Sequence, residues 1–176
     1  MVHIDFTLEI GKEPATKYEN QWPNQYDPEF KKTMVGFFNE CHNVHLSVME
    51  ALAIGLKLHP GYFNAFCDNR DHNLRLLHYP SVPKTVLDKK DQTRAGAHTD
   101  YGTLTLLFQD DVGGLQVRST HGDFVAAPPI RNAIIVNAGD LLARWSNDRI
   151  KSTEHRVISP PSYLASKDYP ARSVFG

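Results

Sequence analysis

Several features that mark particular classes of protein are scarce or missing in this sequence of 176 residues. Basic and acidic residues nearly cancel, 19 against 20, and no basic block occurs, so nothing indicates binding to nucleic acid or to an anionic membrane. No stretch approaches the roughly eighteen apolar residues of a membrane span, and the N-terminus lacks the basic and apolar regions of a signal peptide. These absences predict a soluble, cytoplasmic protein and leave its oligomeric state open.

Cysteine is scarce as well. The two thiols, Cys41 and Cys67, do not have the spacing of a metal-binding motif. In a cytosolic chain we expect both to be reduced and partly buried, and we predict neither a disulfide nor a cysteine nucleophile. The length is sufficient for one domain with a sizeable core.

The first third of the chain is predicted to be an irregular arm followed by a helix. Residues 1–27 contain glycine, proline and a turn signal, without a regular period. Asp27 and Pro28 suit the N-cap and first turn of a helix, and apolar residues then recur at helical spacing, which predicts one long amphipathic helix over 28–57. We interpret His42 and His45 on this helix as surface or helix-packing residues. A shorter helix is predicted over 60–67.

From Asn73 onward apolar residues alternate with a period of two, which is typical of strands. Turn residues separate eight short segments of this kind, and this pattern predicts a double-sheet jelly roll. We expect residues 81–92 to be a loop without core residues, and we expect 137–140 and 145–148 to be turns without a chemical role. The predicted strands are 74–79, 97–100, 103–108, 115–118, 124–127, 133–137, 153–158 and 172–175.

Three His-x-Asp triplets occur in the chain. On an extended strand such an imidazole and carboxylate point to the same side, where they can share a metal ion. His3-Ile4-Asp5 lies at the N-terminus, where chains seldom provide a rigid frame, and His121-Gly122-Asp123 lies in a predicted, solvent-exposed hairpin turn. Only His98-Thr99-Asp100 leads directly into a predicted strand, so it is our candidate.

A third ligand is expected on another strand, because two protein donors rarely hold a catalytic transition metal. His155 qualifies, since it lies in a β-branched segment that ends at Pro160-Pro161. Two histidines and one carboxylate on neighbouring strands form the facial arrangement of non-haem Fe(II) oxygenases, which leaves three metal positions open. We refer to His98, Asp100 and His155 as the facial triad.

The chain resembles the 2-oxoglutarate and Fe(II)-dependent dioxygenases, in the group that is similar to isopenicillin N synthase. The resemblance covers about residues 73–175, and three segments carry it: RAGAHTDYGTLTLLFQDDVGGLQV, VNAGDLLARWSNDRIKSTEHRV and YPARS. It implies a double-stranded β-helix, another name for the jelly roll, with iron held by the facial triad. It also implies that Arg172 binds the distal carboxylate of 2-oxoglutarate and that Tyr79 approaches this co-substrate, although an aromatic residue in an apolar strand is more often part of the core.

The activity that the resemblance implies is hydroxylation or desaturation of a small organic molecule, with O₂ and 2-oxoglutarate consumed and succinate and CO₂ released. Imidazole and carboxylate donors suit ferrous iron, and the planar fork of an arginine matches a carboxylate bidentately. Two alternatives stay open. One is a truncated, non-catalytic jelly-roll relative that keeps the metal-binding residues, and the other is a cupin-like metalloprotein that uses zinc or manganese.

Two features depart from the family pattern. The family places a serine two positions after the arginine, whereas Ser173 follows Arg172 directly and would face the opposite side of a strand, so we do not expect it to bind the carboxylate. Family members also carry further segments at both ends. We therefore expect a chain truncated at both ends, in which an N-terminal arm and helical segment, residues 1–72, packs on a jelly-roll core, residues 73–176.

Overall fold

The structure is a computed structural model that describes the backbone of residues 2–7 and all atoms of residues 20–89, 92–161 and 167–175. Two compact units are distinguished. The first consists of Met1–Ile4 with Leu76–Gly176, and the second of Asp5–Arg75. Within the described ranges, no helix is both long and apolar enough to cross a membrane.

The second unit is built on one long helix, α1, Phe30–Gly55. Its buried residues, Phe38, His42, His45, Met49 and Ala53, recur at intervals of three and four and so form one face. The predicted helix is therefore confirmed. Both histidines lie inside the apolar face, 5% and 6% exposed, which excludes the surface interpretation.

The ends of α1 differ in detail from the prediction. Asp27 is not the N-cap: its carboxylate accepts the N–H of Glu29 at 3.0 Å, and Glu29 is the N-cap residue. At the other end, Lys57 adopts a left-handed φ of 64° and the N–H of Leu58 donates to the carbonyl of Ala53 at 2.9 Å. This closes the helix in the manner of a Schellman motif without its usual glycine. The shorter predicted helix is a 3-10 helix, Pro60–Phe66.

Two antiparallel sheets form the core of the first unit. Five strands lie in the order β1-β2-β11-β5-β8, four in the order β4-β9-β6-β7, and β10 pairs with β3. The strands are β1 Val2–Thr7, β2 Asn73–Tyr79, β3 Val82–Pro83, β4 Ala95–His98, β5 Leu104–Gln109, β6 Leu115–Arg118, β7 Phe124–Ala126, β8 Ile135–Ala138, β9 His155–Val157, β10 Asp168–Tyr169 and β11 Arg172–Phe175. All eight predicted strands are present, with ends that shift by up to two residues.

Several short elements escaped the sequence analysis. Strand β1 lies in the arm that was predicted to be irregular, and the predicted loop 81–92 contains β3, the short helix α2 over Lys84–Leu87, and the buried Leu87. A third helix, α3, covers Asp140–Trp145, between the two predicted turns. β3, α2 and α3 are too short to show a clear period, whereas β1 has alternating apolar residues, Val2, Ile4 and Phe6, that the prediction of an irregular arm overlooked.

Candidate metal centre

The two histidines of the facial triad face each other across a pair of strands. His98 ends β4, His155 begins β9, and the two residues are directly opposite in the antiparallel register. Their ring centroids are 4.4 Å apart. The register shifts between Ala95 and His98, so β4 is irregular immediately before the histidine. Such irregularities are common beside active sites, because they redirect a side chain.

Asp100 completes the group, although not for the predicted reason. It lies two residues beyond the end of β4, so strand alternation does not orient its side chain. Its Oδ1 nevertheless lies 3.9 Å from Nε2 of His98 and 3.6 Å from Nε2 of His155. The structure therefore brings all three predicted ligands together, with one donor atom from each within 4.8 Å of the others.

Hydrogen bonds leave one lone pair on each histidine directed to the shared space. Nδ1 of His98 donates to the carbonyl of Gly96 at 2.8 Å, and Nδ1 of His155 donates to the carbonyl of Thr153 at 3.1 Å. In the neutral ring that a metal requires, Nε2 then carries the lone pair. Backbone carbonyls are the usual partners that fix the tautomer of a metal-binding histidine.

The two carboxylate oxygens of Asp100 also differ in their partners. Its Oδ2 accepts hydrogen bonds from the hydroxyl of Thr105 on β5 and from the amide of Asn137 on β8, both at 2.7 Å. Oδ1 is left facing the two imidazoles. The donors are somewhat wider apart than the roughly 3.0 Å expected for neighbouring ligands about 2.1 Å from one ion, so modest side-chain movements would complete the coordination. The residues present thus fit a ferrous ion.

Asn137 was expected to lie in a turn, but it lies in β8, and its amide donates to the Asp100 carboxylate. Asn137 and Thr105 are cross-strand partners in the β5–β8 pair, so neighbouring strands of the other sheet hold the carboxylate from one side. No spacing rule in the sequence connects either residue to Asp100, because the contact crosses between sheets.

Gly139, the N-cap of α3, allows the loop that carries Asp100 to approach closely. A Cβ atom at this position would lie 2.3 Å from the carbonyl oxygen of Gly102 and 2.8 Å from that of Asp100. The N–H of Asp140 donates to the Asp100 carbonyl at 2.8 Å, which fixes the same loop by its backbone. Only glycine fits this approach without movement of the loop.

The triplet that begins at His121 is not part of this group of possible metal ligands. His121 is exposed in the turn of the β6–β7 hairpin, where Gly122 has a φ of 93° and Ser119 pairs with Asp123. The hairpin prediction is confirmed. The side chains of the triplet that begins at His3 lie outside the described residues.

Arg172 is deeply buried, with 1% of its surface exposed, and lies opposite Tyr79 in the β11–β2 pair. Its Nη2 donates to the side-chain oxygen of Gln109 at 3.1 Å, and its Nε lies 3.9 Å from Oδ1 of Asp110. Nε and Nη1 have no hydrogen-bond partner among the described residues. Burial lowers the pKa of Arg172, and the nearby Tyr79 and Asp110 oppose this effect. A buried guanidinium with free donors is suited to an anionic ligand.

A second arginine beside the same ring was missed in the sequence. The guanidinium carbon of Arg94 lies 6.0 Å from the centre of the Tyr79 ring, and that of Arg172 lies 5.7 Å from it. Nη2 of Arg94 donates to the carbonyl of Pro170 at 2.8 Å, while its Nε and Nη1 are buried without partners among the described residues. Its place four residues before His98, in the segment that resembles the family, was the available signal.

Ser173 does not share the buried face of β11 that carries Arg172. Its hydroxyl lies 3.2 Å from Nδ1 of His78, its cross-strand neighbour, while Arg172 is buried. The alternation along β11 is regular, with Arg172 and Val174 buried and the residues between and after them more exposed.

Comparison with known proteins agrees with this site. Residues 70–163 match the family model described as the 2OG-Fe(II) oxygenase superfamily. The 2-oxoglutarate-Fe(II) type oxidoreductase ppzD of Metarhizium majus is 43% identical over 164 residues, 90% of this chain and 47% of the relative. The proline hydroxylase buaE of Petromyces alliaceus is 41% identical over 159 residues, 88% of this chain and 49% of the relative.

Solved structures of similar sequence also include a protein that binds 2-oxoglutarate. Full-length Neurospora crassa T7H in complex with alpha-KG superposes with a TM-score of 0.90 at 48% identity, over 98% of this chain and 52% of the other. This chain therefore spans about half the length of the relatives it matches. The match confirms the resemblance and the jelly roll that the sequence predicted, and the chain belongs to the 2OG-Fe(II) oxygenase superfamily.

Proposed function

We propose that this chain carries the catalytic core of an Fe(II)- and 2-oxoglutarate-dependent oxygenase that hydroxylates or desaturates a small organic molecule and releases succinate and CO₂. The observation that carries the proposal is the hydrogen-bonding pattern of the facial triad. Each ligand uses one atom to bond to the protein and directs the other to the shared space. Bound there, ferrous iron would supply the open positions at which the keto acid and O₂ react.

In this proposal Arg172 binds the distal carboxylate of 2-oxoglutarate. The support is its burial together with two donor nitrogens that have no partner in the described part of the chain. Arg94 adds a second positive charge near the same ring, since its guanidinium carbon lies 6.0 Å from the centre of the Tyr79 ring and that of Arg172 lies 5.7 Å from it. Two cations with buried guanidinium nitrogens attract an anion more strongly than one, because the low local dielectric screens them little.

The names of two relatives support a substrate class. The relatives are named for small molecules: buaE is a proline hydroxylase, and Neurospora crassa T7H has been crystallised with alpha-KG and thymine, or with 5-formyluracil. We infer a small polar molecule of comparable size for this chain. We also propose a cytoplasmic location, consistent with both cysteines being free thiols, and residues 73–176 as the catalytic core.

An anaerobic titration tests the proposal. Fe(II) is added to the apoprotein, followed by 2-oxoglutarate, and the visible charge-transfer band of the chelated keto acid is recorded. We expect the band in the wild type and its loss after His155→Ala. A protein that binds iron but develops no band with 2-oxoglutarate would instead be a non-catalytic relative, and a preference for zinc or manganese over iron would favour the cupin-like alternative. Succinate release with thymine, proline and related compounds then identifies the substrate.

A further inference from the structure

A second group of possible metal ligands lies in the second unit, which is built on α1 and is called the helical unit below. The group contains no residue of the facial triad. His42 and His45 are three residues apart on α1 and share its buried face, and His72 follows the 3-10 helix. One donor nitrogen from each lies within 4.8 Å of the other two. We call these three residues the tri-histidine cluster.

The contacts inside the cluster are close. Nδ1 of His42 and Nε2 of His72 are 2.9 Å apart, so one ring N–H donates to the lone pair of the other. The ring of His72 lies 5.1 Å from that of His42 and 5.0 Å from that of His45, centre to centre. Two rings on one helix face therefore converge on a third that comes from a distant point in the chain.

The separation of the His42 and His72 nitrogens is near that of ligands in a zinc site. Ligand nitrogens about 2.0–2.1 Å from a tetrahedral zinc ion lie roughly 3.4 Å from each other. The 2.9 Å separation of His42 Nδ1 and His72 Nε2 is slightly shorter, and a donor nitrogen of His45 lies within 4.8 Å of one on each of the other two rings. Side-chain rotations would bring all three nitrogens to the zinc spacing. Three imidazoles with neither thiolate nor carboxylate form a donor set that suits zinc, and a water molecule would fill the fourth position. His72 is less buried than its partners, which leaves a side for the ion to enter.

The surroundings favour the neutral form of the three rings. Burial lowers the pKa of His42 and His45, and it lowers that of His72 to about 4, with the neighbouring histidines contributing. Asp71 opposes the shift at His72, whereas Arg70, which donates to Asn39 at 3.2 Å, adds to it. Neutral imidazole is the form that binds a metal, so protons compete little near neutral pH.

We propose that the tri-histidine cluster binds one zinc ion in the helical unit, with three protein ligands and an open fourth position. The ion would replace the His42–His72 hydrogen bond and join α1 to the segment that leads into β2. Since the site uses none of the residues of the facial triad, it does not depend on the proposed oxygenase activity.

Metal stoichiometry tests the proposal. Tag-free protein is stripped with a chelator, equilibrated with Zn(II) and analysed for bound metal. The facial triad also accepts zinc, so the wild type should bind two equivalents, and the Asp100→Ala, His155→Ala double variant should keep one. Adding His45→Gln to that double variant should remove the last equivalent, whereas adding His121→Gln, at an exposed histidine, should not. Co(II) in the double variant should give the intense visible bands of tetrahedral coordination.

The proposal is overturned if the double variant, folded by circular dichroism, binds no zinc at micromolar free metal. The three rings would then be a hydrogen-bonded part of the core and nothing more. This result requires no substitution in the cluster, so it holds even if His45→Gln prevents folding. One bound equivalent that survives His45→Gln, or Co(II) bands of octahedral type, also contradicts the assignment.

Discussion

Replacing Arg172 with methionine tests the proposed co-substrate pocket most directly. The side chain is 1% exposed, and methionine keeps much of its length without its charge or donors. Gln109 loses the partner of its side-chain oxygen, which costs folding stability about 1–3 kcal/mol. Thermal unfolding of the apoprotein measures that cost separately from binding.

The expected loss of affinity follows from the donors that are available. One N–H of Nη2 already donates to Gln109, and Nε and Nη1 have no hydrogen-bond partner among the described residues, so at least two N–H groups remain for a carboxylate. A hydrogen bond to a charged group contributes about 1.5–3 kcal/mol net. The carboxylate must give up its own hydration, and Asp110 lies 3.9 Å from Nε, so we take the lower end for both bonds. The total of about 3 kcal/mol corresponds to a roughly 100-fold weaker dissociation constant for 2-oxoglutarate.

Two companion variants isolate the geometry. Arg172→Lys keeps a positive charge but loses the planar fork, so it should recover only part of the affinity. Ser173→Ala removes a hydroxyl that lies against His78 on the other face of β11, so it should change the 2-oxoglutarate dissociation constant by less than about twofold.

The assay is an anaerobic titration of the Fe(II) complex with 2-oxoglutarate, followed by the charge-transfer band, with iron affinity measured in parallel. Iron binding should change little in all three variants. If Ser173→Ala weakened 2-oxoglutarate binding as much as Arg172→Met, the hydroxyl would reach the pocket, and the assignment of opposite faces would be wrong. If Arg172→Met left binding intact, Arg94 or another cation would be the carboxylate ligand.

Three further predictions concern the metal centre. Alanine at any residue of the facial triad should remove most iron binding, whereas His121→Ala and His3→Ala should leave it unchanged; iron content after reconstitution decides this, and retention by a triad variant would refute the assignment. Asn137→Leu removes one of the two hydrogen bonds to Asp100 and should weaken iron affinity about 10- to 100-fold, a loss that Fe(II) titration measures and that would be absent if the bond were incidental. Gly139→Ala should lower the free energy of unfolding by at least about 1–3 kcal/mol, because the added Cβ would meet two carbonyl oxygens. The control Gly36→Ala on α1, with open space around it, should be neutral or stabilising, and equal urea midpoints for the two variants would contradict the prediction.

Local pattern was enough to identify the elements that are long or chemically distinctive. α1 shows a helical period over more than seven turns, and the β6–β7 hairpin has glycine in its turn. Each signal comes from residues close together in the chain, where backbone geometry alone decides which side chains share a face. The sequence also predicted the facial triad as a metal site, because few combinations of side chains suit ferrous iron, and the structure brings the three side chains together.

The arrangement around those ligands was decided by tertiary structure. Asp100 lies beyond its strand, and hydrogen bonds from β5 and β8 orient it instead of the alternation of β4. Arg94 and Arg172 meet at Tyr79 although they are 78 residues apart in sequence. The same holds for His42 and His72, which are separated by 30 residues. Contacts of this kind depend on which strands and helices become neighbours when apolar surface is buried. A hydrogen bond between two such elements needs only one residue from each element, so it produces no periodic pattern in the sequence.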